Sequence, residues 1–289
     1  MHELVGAYRL ERVLGEGSTA VVHRAHHTVD GTVVALKILK KHLAADETFR
    51  RRFLREARAA SEVRHPNLVA ILDHGESDGR YYLASAYAAG GSLAAAIVRH
   101  GRLPIGETVL IANEVASGLD ALHAHGIVHR DIKAANVMLD VDGRVAITDF
   151  GLAKGARYTA LTTMSRPVGS PAYLSPERIT RQETTPAGDI YALGCLVHEC
   201  LSGSPPFSAP TLFQLAFAHM TQDAPSLAEM RRDVTPALDA AVRTAMAKDP
   251  AHRPATATRY AVRLSAAAQV DDRSPGAAAA LPARYGSQP

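Results

Sequence analysis

Tryptophan is absent from the 289 residues, and aromatic side chains make up only 5% of them. Any core must therefore rest on Leu, Val, Ile and Ala. Cysteine occurs twice, at Cys195 and Cys200, inside an apolar run with helical character. Side chains five apart on a helix do not face each other, so a disulfide between them is not expected; reduced thiols suit a cytoplasmic setting. No stretch of about 18 apolar residues is present, so no membrane-spanning helix is expected. The N-terminus has no basic stretch followed by an apolar one, which leaves no secretory signal to read. The fourteen histidines are scattered. His123, His125 and His129 lie close in sequence but lack the Cys or carboxylate pattern of a zinc site. A net charge of +3 is too small to point to a nucleic-acid partner.

What is present is a chain with 47% hydrophobic residues, long enough for one large domain or two lobes with well-formed cores. Residues 8–40 read as short strands separated by glycine turns. From about 47 to 63 the period changes. Phe49, Phe53, Ala57 and Ala60 recur every three or four residues, which predicts an amphipathic helix ended by His65-Pro66-Asn67. Two further strands follow, joined by a turn at Ser77-Asp78-Gly79. Beyond Gly90-Gly91 the pattern is mostly helical. This order predicts an α+β protein: a small β-rich lobe with one long helix (about 1–86), a hinge (about 86–91), and a larger helical lobe (about 92–265). The Ala-, Pro- and Gly-rich residues 266–289 have no periodic apolar face and read as a disordered tail or linker.

Two segments near the start carry a hint of chemistry. Leu14-Gly15-Glu16-Gly17-Ser18-Thr19-Ala20 places glycines between two strands, where backbone N–H groups can approach phosphate oxygens without a Cβ in the way. A hairpin turn explains the same glycines, and Ala20 stands where a third glycine would complete the phosphate-binding pattern. Lys37 sits in the apolar run Val34–Ile38. Its ammonium needs an anionic partner there, unless it lies on an edge strand and reaches water along its own stem. Glu56 on the predicted helix is a candidate partner, or one more surface charge beside Arg55.

The segment from His129 to Gly151 is far more specific. His129-Arg130-Asp131-Ile132-Lys133-Ala134-Ala135-Asn136 follows the strand-like Ile127-Val128, and Asp149-Phe150-Gly151 comes thirteen residues after Asn136. Phosphate transfer to a hydroxyl needs a group to take its proton, and Asp131 can do so. Magnesium needs hard oxygen ligands, which Asn136 and Asp149 supply. Lys133 can balance charge on the transferring group. Any one of these residues alone is an ordinary loop residue. The ordered set is not.

These motifs, together with Ser175-Pro176-Glu177, Asp189 and Arg253, make the chain similar to the eukaryotic-type (Hanks-type) Ser/Thr protein kinases, and most like their bacterial members. The resemblance covers about residues 8–265. It implies a protein kinase fold that binds ATP with Mg2+ (or Mn2+) and phosphorylates Ser or Thr of protein substrates. Lys37 would hold the α- and β-phosphates and pair with Glu56. Asp131 would be the base, and Asn136 and Asp149 the metal ligands. The phosphate loop Leu14–Ala20 would cover the nucleotide. Val22, Ala35 and Met138 would wall the adenine, with Ser85 as gatekeeper and Ala86 and Ala88 along its edge. Glu177 would form a buried pair with Arg253, and Asp189 would brace the His129-Arg130 turn, although a solvated helix start is the plainer account of Asp189 alone. Lys133 and Ser170 favour Ser or Thr over Tyr as acceptor. Arg130 beside the base implies control by phosphorylation of the segment 149–177, with Thr162 or Thr163 as autophosphorylation sites. The resemblance also allows a homodimer through the small lobes, and a continuation after Ala266 into a membrane anchor and sensor. A pseudokinase scaffold and a small-molecule kinase are the competing readings. The intact Lys37, Asp131, Asn136 and Asp149 oppose the first, and the peptide-positioning segment 169–177 opposes the second.

Overall fold

The computed structural model describes residues 3–140, 143–150, 171–180 and 185–269. Six strands form one antiparallel sheet: β1 (Leu4–Val5), β2 (Tyr8–Glu16), β3 (Ala20–His27), β4 (Val33–Leu39), β5 (Ile71–Ser77) and β6 (Arg80–Ala86), in the order β1-β2-β3-β4-β6-β5. The period of two sorts β4 between two faces. Val34 and Leu36 point outward into a cluster with Tyr8, Ala25, Tyr82 and Ala84. Ala35 and Lys37 point the other way. Register sets Val22 opposite Lys37 on β3, and Ser85 and Leu83 opposite Ala35 and Lys37 on β6. Five cleft residues thus share one sheet face because of strand pairing alone.

Helix α1 (Lys41–Ala44) is a single turn leading into α2 (Glu47–Ser61). Asp46 caps α2 by accepting from the Phe49 N–H at 3.1 Å. Its buried stripe is Phe49, Phe53, Ala57 and Ala60, as the periodicity predicts. Phe49, Phe53 and Ala57 pack under the sheet against Leu39 and Leu83. The His65-Pro66-Asn67 segment then fastens the small lobe to the large one. Asn67 Nδ2 donates to the carbonyl of Val145 at 2.9 Å and to Glu114 at 3.1 Å, and the Ile147 N–H donates to the Asn67 carbonyl.

The large lobe holds α3 (Leu93–His100), α4 (Ile105–Ala124), the hairpin β7 (Val137–Leu139) with β8 (Val145–Ile147), α5 (Pro176–Ile179), α6 (Pro186–Ser202), α7 (Leu212–Thr221), α8 (Leu227–Met230), α9 (Pro236–Ala245) and α10 (Ala257–Gln269). Helix α6 is buried on nearly every side, so its sequence is apolar all round and it forms the axis of the lobe. Gly194 is needed there, since a Cβ at this position would lie 2.8 Å from the Ala245 Cβ. Cys195 and Cys200 are both free and buried on α6, where burial pushes their thiols up and leaves them unreactive.

Two expectations need correction. Ile127-Val128 is not a strand. The backbone donors that follow, at His129 and Arg130, are taken by the Asp189 carboxylate rather than by a neighbouring strand. Residues 266–269 are also not part of a disordered tail, because α10 runs through Gln269. Alanine is the best helix former, and Ala267 and Ala268 lie partly buried against the core. Residues 270–289 lie outside the described residues. Among the described residues no helix is long and apolar enough to cross a membrane.

Candidate active site

A cleft of about 320 Å³ opens between the sheet and the β7–β8 hairpin. Its apolar walls come from Leu14, Val22 and Ala35 above and Met138 below, with Ser85, Ala86 and Ala88 along the strand-to-helix connection. All of these were expected. Val69, Leu83, Tyr87 and Thr148 also line it and were not read from the sequence. Period-two alternation was the available signal for Leu83, which faces Lys37 across β4 and β6. Tyr87 had none, since its place depends on the Arg24 guanidinium stacked 5.5 Å above its ring.

The phosphate-loop expectation divides. Leu14 and Gly15 line the cleft, whereas Glu16, Gly17, Ser18, Thr19 and Ala20 do not. The loop tip closes on itself through the Gly17 N–H and the Ala20 carbonyl, 2.9 Å apart. A Cβ built on Gly15 would meet nothing within 4 Å, so packing within the protein does not require that glycine.

At the base of the cleft the acidic and amide side chains converge. Asn136, at the end of a short 3-10 turn (Ala134–Asn136), donates through Nδ2 to the Asp131 carbonyl at 2.8 Å and to its Oδ2 at 2.7 Å. Those bonds leave the Asn136 amide oxygen as its acceptor. Lys133 Nζ lies 3.0 Å from the same Oδ2. The Asp131 N–H donates to His129 Nδ1 at 3.1 Å, which leaves His129 Nε2 to donate to the Thr148 carbonyl at 3.0 Å. The loop bearing Asp131 is thereby tied to the residue before Asp149. Phe150 is buried, with its ring 6.4 Å from that of His129.

Lys37 is where the structure departs from the sequence reading. Its ammonium lies 2.8 Å from Asp149 Oδ1, not on Glu56. Glu56 instead takes Arg52, one turn earlier on α2, at 2.8 Å. An arginine four residues away on the same helix reaches Glu56 without any movement of α2 relative to the sheet.

Three further groups frame the site. Asp189 on α6 is fully buried and accepts from the N–H groups of His129 and Arg130, both at 2.8 Å, and pairs with His123 at 2.9 Å. Burial alone would raise its carboxyl. The His123 bond, the nearby imidazoles and the backbone donor outweigh burial and hold it below the usual range. This brace explains how Arg130 sustains a φ of +68°, in the left-handed region that a side chain rarely adopts. Glu177 and Arg253 form a two-pronged pair, each bond 2.8 Å. The Tyr173 hydroxyl donates to Glu199 on α6 and accepts from the Ala134 N–H at 3.4 Å. The sequence reading missed this contact between residues 26 apart. Gly151, Ser170, Thr162 and Thr163 lie outside the described residues.

Asn136 and Asp149 offer a divalent ion an amide oxygen and a carboxylate. That set suits a hard cation whose remaining ligands are water and phosphate, and it lacks the His or Cys that would favour zinc. The apolar slot with backbone along one edge suits a flat heterocycle, and Lys37 at its inner end suits a polyphosphate.

Fold and site together define a protein kinase. The protein kinase domain family matches residues 8–262. The chain is 38% identical over 254 residues to the serine/threonine-protein kinase PknH of Mycobacterium tuberculosis, covering 88% of this chain and 41% of PknH. It is 37% identical over 268 residues to PknE of the same organism, covering 93% of this chain and 47% of PknE. The crystal structure of the M. tuberculosis PknI kinase domain superposes with a TM-score of 0.75 at 29% identity, covering 93% of this chain and 98% of that one. The chain belongs to the protein kinase domain family, as a bacterial Hanks-type serine/threonine kinase domain. Use of ATP and a divalent metal comes with that family. The chain spans under half the length of the two curated relatives.

Proposed function

We propose that this chain transfers the γ-phosphate of ATP to Ser or Thr hydroxyls of proteins, its own activation segment included. The observation that carries the reading is that Lys37, Asn136 and Asp149 line one apolar cleft, with Asp131 bonded to Asn136 and Lys133 on the same Asp131 oxygen. In this reading Asp131 orients the acceptor hydroxyl and takes its proton. Asn136 and Asp149 hold Mg2+ (Mn2+ in its place), which would neutralise charge on the phosphates. Lys37 draws the α- and β-phosphates into position, and Lys133 offsets charge that develops on the moving group. The backbone of Ala86–Ala88 reads the adenine edge. The same reading assigns the catalytic role to a cytoplasmic domain, alone or as part of a longer anchored kinase.

Control by phosphorylation has support of its own. The Nε of Arg130 is buried without a hydrogen-bond partner among the described residues. A buried guanidinium donor left open favours an incoming anion. A phosphate on Thr162 or Thr163 would add about −1.5 to −2 charge and at least one strong acceptor.

A phosphosite map after incubation with ATP and Mg2+, run beside Lys37→Met, tests the reading. Thr162 or Thr163 is expected to be modified in the wild type, with no modification in the variant. Failure of the wild type to phosphorylate itself or a generic basic protein, with Asp149→Asn as control, would favour the scaffold reading. A second experiment probes the cleft. Ser85 is small and buried, with its hydroxyl 3.3 Å from the Ala35 carbonyl. Ser85→Met fills the space toward Val69 and Leu83. It is expected to weaken an adenine-like inhibitor bearing a bulky substituent by about tenfold or more, through direct overlap. Equal inhibition constants for the two proteins would show that Ser85 is not the gatekeeper.

A further inference from the structure

Lys40, just past the end of β4, holds the phosphate loop at two points. Its N–H donates to the Thr19 carbonyl at 2.9 Å, and its ammonium pairs with the Glu16 carboxylate. Strand register brings the two side chains together. Glu16 stands opposite Val21, and Val21 stands opposite Ile38. Ile38 packs on the outer cluster of the sheet, and Lys40 follows it by two residues, so Glu16 and Lys40 share that outer face. Gly15, the neighbour of Glu16, lines the cleft together with its register partner Val22. A carboxylate thus sits one residue from the cleft, on the outside of the loop. The hydrogen bond and the charge of Lys40 hold that carboxyl below its ordinary value, so it is ionised at neutral pH.

The pair does little for the shape of the loop. Main-chain bonds already fix the tip, from the Gly17 N–H to the Ala20 carbonyl and from the Lys40 N–H to Thr19. The side chains of Lys40 and Glu16 are 26% and 63% exposed, and a pair so exposed adds little to folding. What the ammonium contributes is charge. Like charges repel over about a Debye length, about 8 Å at physiological salt, and a bare carboxylate in this loop would oppose an anion drawn in beneath it. We propose that Lys40 is a positioning residue for the phosphate end of the nucleotide, acting through Glu16: it cancels the charge of the loop's carboxylate and so lets the loop close over a polyphosphate. The inference rests on the reading of this cleft as an ATP site. It adds a residue outside the cleft that sets affinity for the phosphates and leaves affinity for the nucleoside alone.

The test uses the full chain as wild type, Lys40→Ala, Glu16→Gln and Lys40→Ala/Glu16→Gln. Calorimetry measures affinity for ADP with Mg2+ and, separately, for adenosine. Lys40→Ala keeps the N–H that holds Thr19 and removes only the ammonium. It is expected to bind ADP about threefold more weakly at low salt, with adenosine affinity unchanged and the difference shrinking as salt is raised. The double variant is expected to return to about the wild-type affinity for ADP, because the charge that Lys40 cancels is gone. A loop held in shape by the pair would instead bind weakly in both Glu16→Gln and the double variant. Unchanged ADP affinity in Lys40→Ala, a loss that adenosine shares, or a loss that persists in the double variant overturns the proposal. Wild type that binds neither ligand would sink the ATP reading and the role of Lys40 with it. Wild type that binds both, with Lys40→Ala no different, would sink the role of Lys40 alone.

Discussion

Asp131→Asn is expected to lower the turnover of phosphate transfer by about 10²–10⁴-fold, the range typical of a lost general base, while KM for ATP changes little. Asp131 is hydrogen-bonded to Asn136, which lines the cleft, and its neighbours explain both halves of the expectation. Its Oδ2 is already engaged by Asn136 Nδ2 and by Lys133. In the proposed reading the carboxylate holds the loop through Oδ2 and also takes the proton of the acceptor hydroxyl. An amide placed here can turn its oxygen toward Asn136 and keep the loop, but it then presents N–H to the acceptor and cannot take a proton. In the proposed reading nucleotide binding would rest on Lys37 and the apolar walls, which the substitution leaves in place. Initial rates at saturating ATP, with nucleotide affinity measured separately, check the split. A loss that appears mainly in nucleotide affinity would move Asp131 out of the role of base.

The small lobe was legible in the sequence because its rule is local. Alternation along Val33–Leu39 places Lys37 on the cleft face, and the stripe at Phe49, Phe53, Ala57 and Ala60 places α2 beneath it. Which carboxylate Lys37 chooses was not legible. The sequence reading named Glu56, whereas Lys37 lies on Asp149, and Glu56 takes Arg52, a residue that in sequence looks like a solvated surface charge. The role of Ile127-Val128 escaped for a related reason. Two apolar β-branched residues suggest a strand, but the donors after them are satisfied by Asp189, sixty residues on from His129. The end of α10 escaped because a composition rich in alanine reads equally as a linker and as a helix, and only packing of Ala267 and Ala268 on the core decides between them. Tyr173 and Glu199 meet across the large lobe, and no periodicity of either segment signals that contact. Motif order picked out Asp131, Lys133 and Asn136 together, and the fold brings Lys133 and Asn136 within hydrogen-bond reach of the same Asp131 oxygen.

Arg253→Met is expected to destabilise the large lobe by about 3–5 kcal/mol, the cost of leaving one partner of a buried ion pair alone. For a domain of this size that is a fall of roughly 10 °C in Tm. The side chains of Arg253 and Glu177 are 0% and 4% exposed, so neither charge has water to fall back on. Arg253 also donates to the carbonyls of Ala187, Ala247 and Lys248, which ties the turn after α9 to the start of α6. Removing Glu177 as well, in Glu177→Leu/Arg253→Met, deletes the lone charge but leaves those three acceptors without a donor. Partial recovery of Tm is therefore expected. The dependence on pH gives the sharper check. Burial raises the Glu177 carboxyl, but the hydrogen bonds and charge of Arg253 outweigh it and hold the pKa below the ordinary value. A depressed folded-state pKa stabilises above the unfolded carboxylate range near about 4.3, and that contribution is lost as pH falls through the lower, folded value. Without Arg253 the largest lowering effects are gone, and burial is opposed only by the weaker hydrogen bonds from Ser175 and the Glu177 backbone. Glu177 then favours its neutral form, and its contribution is retained below the unfolded value and lost as pH rises through the raised one. Acidification from neutral pH toward about 5 should thus narrow the gap in Tm between wild type and Arg253→Met. A gap that stays constant or widens over that interval would show that the carbonyl contacts of Arg253, rather than its pairing with Glu177, hold α5 and the peptide-positioning segment against α6.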